Sequence, residues 1–414
     1  MTKTSQNAIA LTTYQFRLRD FLLGAQMLFV AFGALVLVPI LAGLDPNVAL
    51  FTSGVGTLCF QLVTGGKVPV YLASSFAFIA PIGLSIEKYG LSATLSGLAA
   101  AGVVYLILSL VVFKGGSAII NRVLPTIVTG PVIMVIGLGL APTAVEMATE
   151  AGDNYSAAIA IGVAAVSFLV TILTAIIARG FFRLIPILVG IITGYIISFP
   201  LGLIDFSPVA QAPWLAIPSF TAPSFSLPAI LFILPVAIAP AIEHIGDVLA
   251  IGSVTGNDYL RDPGIHRTLL GDGIATTFAA FLGGPPNTTY SEVTGAVALT
   301  RVFNPAIMTW AALTAIILSF VGKLGASLQT IPVPVMGGIL VVLFGTVVIV
   351  GMNTIMQSGE DLLQPRNIAI AGAILMLGAG GMSLKAGTFA LEGIGLSSII
   401  GVLLNLLLPQ SRKL

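Results

Sequence analysis

Five ionisable residues interrupt stretches that are otherwise apolar: Glu243, His244 and Asp247 in one, Asp272 in the next, and Glu292 in a third. Ionisable groups at membrane depth are costly and are functional-site candidates by default. Glu243 and Asp247 are four residues apart, so a helix sets both on one face. His244 points about 100° away from them and reads as a packing histidine at a helix interface. Two carboxylates on one face, with a third in a broken helix, suit two tasks. One is accepting N–H donors of a polar ligand; the other is taking up a proton. The plainer reading of each carboxylate is a hydrogen bond to a neighbouring helix. His266, in Asp262-Pro-Gly-Ile-His266-Arg267, reads as a solvated loop residue.

The elements that hold these groups must be membrane helices. Of 414 residues, 57% are hydrophobic and 8% charged, where a soluble domain carries about 25% charged residues. That excludes an ordinary soluble enzyme, a disordered chain and a nucleic-acid binder. A net charge of +1 selects neither an acidic nor a basic partner. Cys59 is the single cysteine, so no internal disulfide framework or Cys-rich metal site is expected. No His-Glu-x-x-His, P-loop or Gly-x-Ser-x-Gly elbow occurs, so zinc-protease, ATPase and serine-hydrolase readings lack their parts. No metal and no organic cofactor is expected. Asn154-Tyr-Ser and Asn287-Thr-Thr fit a glycosylation pattern, the second at membrane depth.

A membrane helix needs about 20 apolar residues. Apolar runs give fourteen candidate spans near 20–42, 47–65, 68–86, 91–113, 123–145, 157–178, 183–203, 227–250, 268–282, 286–299, 304–326, 332–352, 366–382 and 393–409. Residues 1–19 are polar, end in Arg17 and Arg19, and lack the pattern of a cleavable signal. With both termini in the cytoplasm, fourteen of the seventeen Lys and Arg face inward; Lys88, Lys323 and Lys385 face out. That asymmetry is the expected one, and adding or removing a span would scramble it.

The chain also echoes itself. Leu124-Pro-Thr-Ile-Val-Thr-Gly-Pro-Val-Ile-Met-Val-Ile-Gly-Leu138 resembles Ile331-Pro-Val-Pro-Val-Met-Gly-Gly-Ile-Leu-Val-Val-Leu-Phe-Gly345, matching at Pro125/Pro332, Val128/Val335, Gly130/Gly337 and Val135/Val342. These are the fifth and twelfth spans. Seven is an odd separation, so the two halves would be inverted, a pattern of secondary transporters that bind substrate at broken helices. Span 3 opens with Val68-Pro-Val-Tyr-Leu-Ala-Ser-Ser75-Phe76, and span 10 with Pro285-Pro-Asn-Thr-Thr-Tyr290-Ser291-Glu292. Proline and β-branched residues favour extended chain over helix. Each opening therefore predicts a short strand followed by a half-helix. The two strands could pair at mid-membrane, satisfying backbone groups that lipid cannot. The half-helix N-termini would aim free N–H groups at a ligand.

Glu243-His-Ile-Gly-Asp247, Pro263-Gly-Ile-His-Arg267, Gly271-Asp272-Gly273, Pro285 through Glu292 and Thr300-Arg301, with Phe32-Gly33 to Pro39 and Tyr71 to Phe76, resemble the bacterial uracil permeases of the nucleobase–ascorbate transporter family. The likeness runs in order along nearly the whole chain. It implies an all-α polytopic fold of fourteen segments in a 7+7 inverted repeat, with short antiparallel strands in spans 3 and 10. After a cytoplasmic tail (1–19), a core domain (20–113 and 227–326) would face a gate domain (114–226 and 327–414). The resemblance implies a homodimer in the bacterial inner membrane that imports uracil with a proton; sodium stays open as the coupling ion.

By the same resemblance Glu243 binds the pyrimidine edge and Glu292 binds or orders the site. Ser75, Phe76, Tyr290 and Ser291 line the breaks, and Phe344 closes the pocket with an apolar face. Asp247, Asp272 and Glu292 are the proton-coupling candidates. Two positions depart from the family's pattern: Val293 stands where an Asn usually follows the span 10 acid, and Gln26-Met27 where span 1 often has Gln-His. A xanthine- or urate-type purine permease is therefore the alternative. A related fold working as an anion channel or exchanger is another, though no Lys or Arg falls in the expected site.

Overall fold

The computed structural model describes residues 12–116, 122–386 and 389–409. The first half holds α1 (Phe21–Ala42), α2 (Pro46–Val63), strand β1 (Leu72–Ser74), α3 (Ile79–Tyr89), α4 (Leu91–Gly115), α5 (Thr126–Thr149), α6 (Ala157–Ile177) and α7 (Pro186–Ser198). A short α8 (Ser207–Gln211) follows. The second half holds α9 (Leu227–Ile233), α10 (Ile238–Thr255), α11 (Ile265–Phe281), strand β2 (Asn287–Thr289), α12 (Ser291–Thr300), α13 (Ala306–Ser319), α14 (Gly322–Gln329), α15 (Val333–Ser358) and α16 (Pro365–Ala379). A hairpin of β3 (Ser383–Ala386) and β4 (Phe389–Glu392) leads into α17 (Gly393–Leu407).

Seven of the described helical segments are long and apolar enough to cross a membrane, and four shorter apolar helices accompany them. Ile107, Leu169, Ile176 and Met376 are each more than half exposed. The polar side chains Thr52, Ser53, Thr57, Asp272 and Thr276 are meanwhile fully buried. Apolar groups outside and hydroxyls inside suit a lipid surround, where polar groups must find partners within the protein.

Strands β1 and β2 pair antiparallel, with Leu72 opposite Thr289, Ala73 opposite Thr288 and Ser74 opposite Asn287. The Ser75 amide extends the pairing by donating to the Pro286 carbonyl at 3.0 Å. Two strands of three residues cannot satisfy all their backbone groups, and side chains of flanking helices complete the set. From α2, Thr57 Oγ1 accepts from the Leu72 amide at 3.0 Å, and Gln61 Nε2 donates to the Val68 carbonyl at 3.0 Å. From α11, Thr276 Oγ1 donates to the Asn287 carbonyl at 2.8 Å.

Small residues let several helices approach at backbone distance. Along the α5–α15 crossing, a Cβ on Gly137 would lie 2.5 Å from the Phe344 carbonyl, and one on Gly337 2.4 Å from the Ala148 amide. Gly130 meets Gly351 and Ile355, so the two helices run antiparallel. Gly102 of α4 meets Gly273 and Thr277 of α11 in the same way.

Several boundaries differ from those expected. The run 304–326 is not one helix: α13 ends at Ser319 and α14 begins at Gly322. The chain at 214–216 docks at that point. The Gly322 amide donates to the Trp214 carbonyl at 3.1 Å and the Ala216 amide to the Phe320 carbonyl at 3.0 Å. The segment expected at 227–250 is tightened to a 3₁₀ turn over Leu234–Ala237, which contains Pro235, and then runs on to Thr255. The end of the supposed tail packs down: Phe16 stacks on Trp310 at 4.4 Å, and Trp310 Nε1 donates to the Arg17 carbonyl at 3.0 Å.

Candidate functional site

Helix α10 carries Glu243, His244 and Asp247 toward the paired strands. Asp247 is buried and ties α10 to the second break. Its Oδ2 accepts from Thr289 Oγ1 at 3.0 Å and its Oδ1 accepts from the Ser291 hydroxyl. Both donors flank the point where β2 turns into α12, so Asp247 fixes the start of that half-helix. Glu243 lies one turn earlier and is only partly buried. Asp247, Glu292 and Asp272 all lie close enough to act on its charge. Glu292, in the first turn of α12, and Ser291 are likewise partly buried.

The other expected residues close round these acids. Phe76 opens the 3₁₀ turn that leads from β1 into α3. Its ring centroid is 6.1 Å from that of Tyr290 and 5.9 Å from that of Phe344, the latter edge to face. Phe344 comes from α15, so the aromatic wall joins both breaks to a third helix. All three rings are nearly buried. The Ser74 and Ser75 hydroxyls are buried without a hydrogen-bond partner, and such groups ordinarily find one in a ligand or water.

Asp272 stands one layer back. On α11 and fully buried, its Oδ2 is 2.9 Å from His244 Nδ1. The contact is an ion-pair distance rather than a directed hydrogen bond, and neither Asp272 oxygen has another partner. His244 sits at a helix interface, as expected, and its contacts there are polar. It is fully buried, with Nε2 2.9 Å from Thr268 Oγ1 and Nδ1 3.4 Å from Thr289 Oγ1. His266 corrects the loop reading: it lies in the first turn of α11, half-buried, its ring 5.3 Å from that of Phe113. Asn287 is a strand residue whose Nδ2 donates to the Thr52 carbonyl at 3.1 Å, which removes it as a glycosylation site. Val293 is fully buried in apolar packing, and so is Met27.

Sequence reasoning did not single out Thr289 or Thr268, nor the contact of His244 with Asp272. The signal for Thr289 was its place just before the second break, where a side chain must meet whatever faces the strand. Among the described residues, no group of three or more His, Cys, Asp and Glu is arranged to hold a metal ion. Chemically, the arrangement is a set of carboxylate acceptors beside half-helix N-termini, walled by aromatic rings. It can bind a small planar ligand that presents both N–H and C=O groups.

The profile of the Permease family (Xan_ur_permease) matches residues 19–387. The chain belongs to that family. The permease is 52% identical over 410 residues to the probable uracil permease of Pasteurella multocida, covering 99% of this chain and 98% of that one. It is 42% identical over 400 residues to the uracil permease of Bacillus subtilis, with 94% and 92% covered. To the uracil permease of Escherichia coli K12 it is 37% identical over 407 residues, with 97% and 94% covered. The permease is a membrane transporter and not an enzyme. Its fold is shared with the transmembrane domain of the cyanobacterial bicarbonate transporter BicA, at a TM-score of 0.63 and 15% identity, covering 95% of this chain and 99% of that one. The murine anion transporter Slc26a9 in its inward-facing state matches at 0.67 and 16% identity, covering 95% and 68%.

Proposed function

We propose that the permease imports uracil across the bacterial inner membrane by proton symport. The observation that carries the reading is the convergence of Glu243, Glu292 and the two strand-to-helix breaks behind one aromatic wall. Uracil is small, planar and neutral, and its edge alternates N–H and C=O groups. Glu243 accepts its N–H hydrogens. Main-chain N–H groups at Phe76 and Ser291 donate to its carbonyls, because the first amides of a helix have no intrahelical partner. Phe76 packs on its face and Phe344 closes over it. The names of the relatives supply uracil as the first ligand to test.

The same reading assigns fourteen spans in two inverted halves. Support comes from how the helices pair. α1 packs on α3 as α10 packs on α12; α4 on α11 as α13 on α2; α6 on α7 as α16 on α17. Each second pair stands seven spans from the first, and β1–β2, α2–α11 and α5–α15 each pair an element with its own counterpart. Residues 20–113 and 227–326 form the core and residues 114–226 and 327–414 the gate, with both termini cytoplasmic. Import is a rocking or elevator movement of core against gate. A mostly apolar cavity of 220 Å³ between them, bordered by Ala80, Phe232, Leu140 and Ile394, leaves room for it. Protonation of one acid among Asp247, Asp272 and Glu292 accompanies substrate binding, and the unit is a homodimer.

The test is uptake of labelled uracil into liposomes carrying purified protein, with a proton gradient, a sodium gradient or neither. Accumulation on the proton gradient alone, abolished by a protonophore, is expected. Accumulation on sodium alone replaces the coupling ion; none on either gradient removes the reading. Competition by xanthine or urate tests the purine alternative. Anion exchange, by analogy with the bicarbonate and Slc26a9 anion transporters of the same fold, has less support here: among the described residues, no Lys or Arg acts on Glu243, Asp247 or Glu292.

A further inference from the structure

Behind strand β2, hydrogen-bond roles fix where protons sit. A hydroxyl has one proton to give. Thr268 gives its own to the Ile265 carbonyl at 3.0 Å, so toward His244 Nε2, at 2.9 Å, it can only accept. Thr289 gives its proton to Asp247 Oδ2 at 3.0 Å, so toward His244 Nδ1, at 3.4 Å, it too offers only a lone pair. The nearest neighbour of Nδ1 is an Asp272 oxygen at 2.9 Å. Every atom facing either ring nitrogen is therefore an acceptor. The Asp272 carboxylate, fully buried and without another partner, needs a nearby positive charge, since burying an isolated anion is strongly unfavourable.

We propose that His244 is a fixed imidazolium paired with Asp272, a positioning residue that holds Thr289 in the rotamer presenting its hydrogen to Asp247. The substrate-side carboxylate is thereby kept an acceptor, and the moving proton stays on the substrate side of β2. Asp272 from α11 and Asp247 from α10 face the ring, and Glu243 from α10 with Tyr290 and Glu292 at the second break completes the same cluster of titratable groups. The Phe60 ring from α2 stands T-shaped to the His244 ring at 6.4 Å, and Tyr105 of α4 lies within range of the charges on Asp272 and Glu243. Among the described residues no Lys or Arg joins them, so His244 is the one described cation beside four acids. The assigned role at the substrate site rests on the uracil reading; the charge state does not.

The chain has two histidines, so His266→Gln leaves His244 as the only one. Full-length H266Q protein labelled with ¹⁵N-histidine, in lipid bilayers, is examined by solid-state NMR from about pH 5 to about pH 8, the window in which an ordinary histidine titrates. Both ring nitrogens stay in the N–H range throughout if the proposal holds. One unprotonated nitrogen at any pH in that window overturns it, whether or not uracil is transported. In the D272N variant of that protein, one nitrogen should lose its proton. Uptake reads the second half: H244Q/D272N, which leaves no lone buried charge, should be more stable than either single variant. Its maximal uracil uptake should fall about tenfold, with its pH profile displaced. A double variant with the parent's rate and profile would refute the positioning role.

Discussion

Replacing Glu243 by Gln separates a binding carboxylate from a structural one, because the two roles predict opposite signs. Glu243 is beside Asp247, Asp272 and Glu292, and the neighbouring His244 is engaged by Asp272, so an amide at Glu243 relieves repulsion. The folded protein should be as stable as its parent or slightly more so. Binding should move the other way. A hydrogen bond to a charged acceptor contributes about 1.5–3 kcal/mol, and a buried donor left facing another donor costs about 1–3 kcal/mol more. The Gln side chain brings both losses if its NH₂ turns toward the uracil N–H edge. Together they come to about 2.5–6 kcal/mol, an affinity loss of roughly a hundredfold or more. Equilibrium binding of radiolabelled uracil to purified protein, run beside thermal stability of the same samples, measures both. A dissociation constant within about threefold of the parent would refute the role of Glu243; so would a weakened affinity that merely tracks a drop in stability.

Thr289→Val removes the donor to Asp247 and should slow uptake by about tenfold, on the scale of one lost charged hydrogen bond, while Thr289→Ser should retain most of the rate; initial uptake rates compare them. Phe344→Ala removes the ring that meets Phe76 edge to face, and aromatic pairs contribute about 0.5–1.5 kcal/mol beyond burial. Uracil affinity should fall about tenfold with expression unchanged, as read by the same binding assay. Gly137→Val puts a side chain 2.5 Å from the Phe344 carbonyl, where only backbone can give way, so a large drop in melting temperature and yield is expected in size-exclusion thermal assays. Trp310→Ala loses the Phe16 stack and the bond to the Arg17 carbonyl; melting should fall by a few degrees while the uracil affinity stays.

Where sequence reasoning succeeded, local chemistry decided the matter. Pro69 and the pair Pro285-Pro286 forbid helix, and the β-branched residues beside them favour extension, so both strand positions were legible. Glu243, Asp247 and Glu292 drew notice because charge inside an apolar run has few explanations, and the structure gathers them near one another. What stayed hidden depends on partners far away in the chain. His244 reads as packing until Asp272 is brought beside it by α11. The break between Ser319 and Gly322 has no proline to announce it; docking of the chain at Trp214 creates it. Thr289 is unremarkable in sequence because a hydroxyl gains meaning only from what it bonds. The hairpin at 383–392 was hidden within a run that reads as ordinary connection.

The crossing of α5 and α15 at Gly130, Gly137, Gly337 and Gly351 has a mechanical consequence. Two rods that touch main chain to main chain have no pliable layer between them, so neither can slide or roll without a hard collision. That pair behaves as a single stiff post. Any travel during a transport cycle is pushed to seams filled by longer, deformable side chains, such as the one where Phe344 meets Phe76.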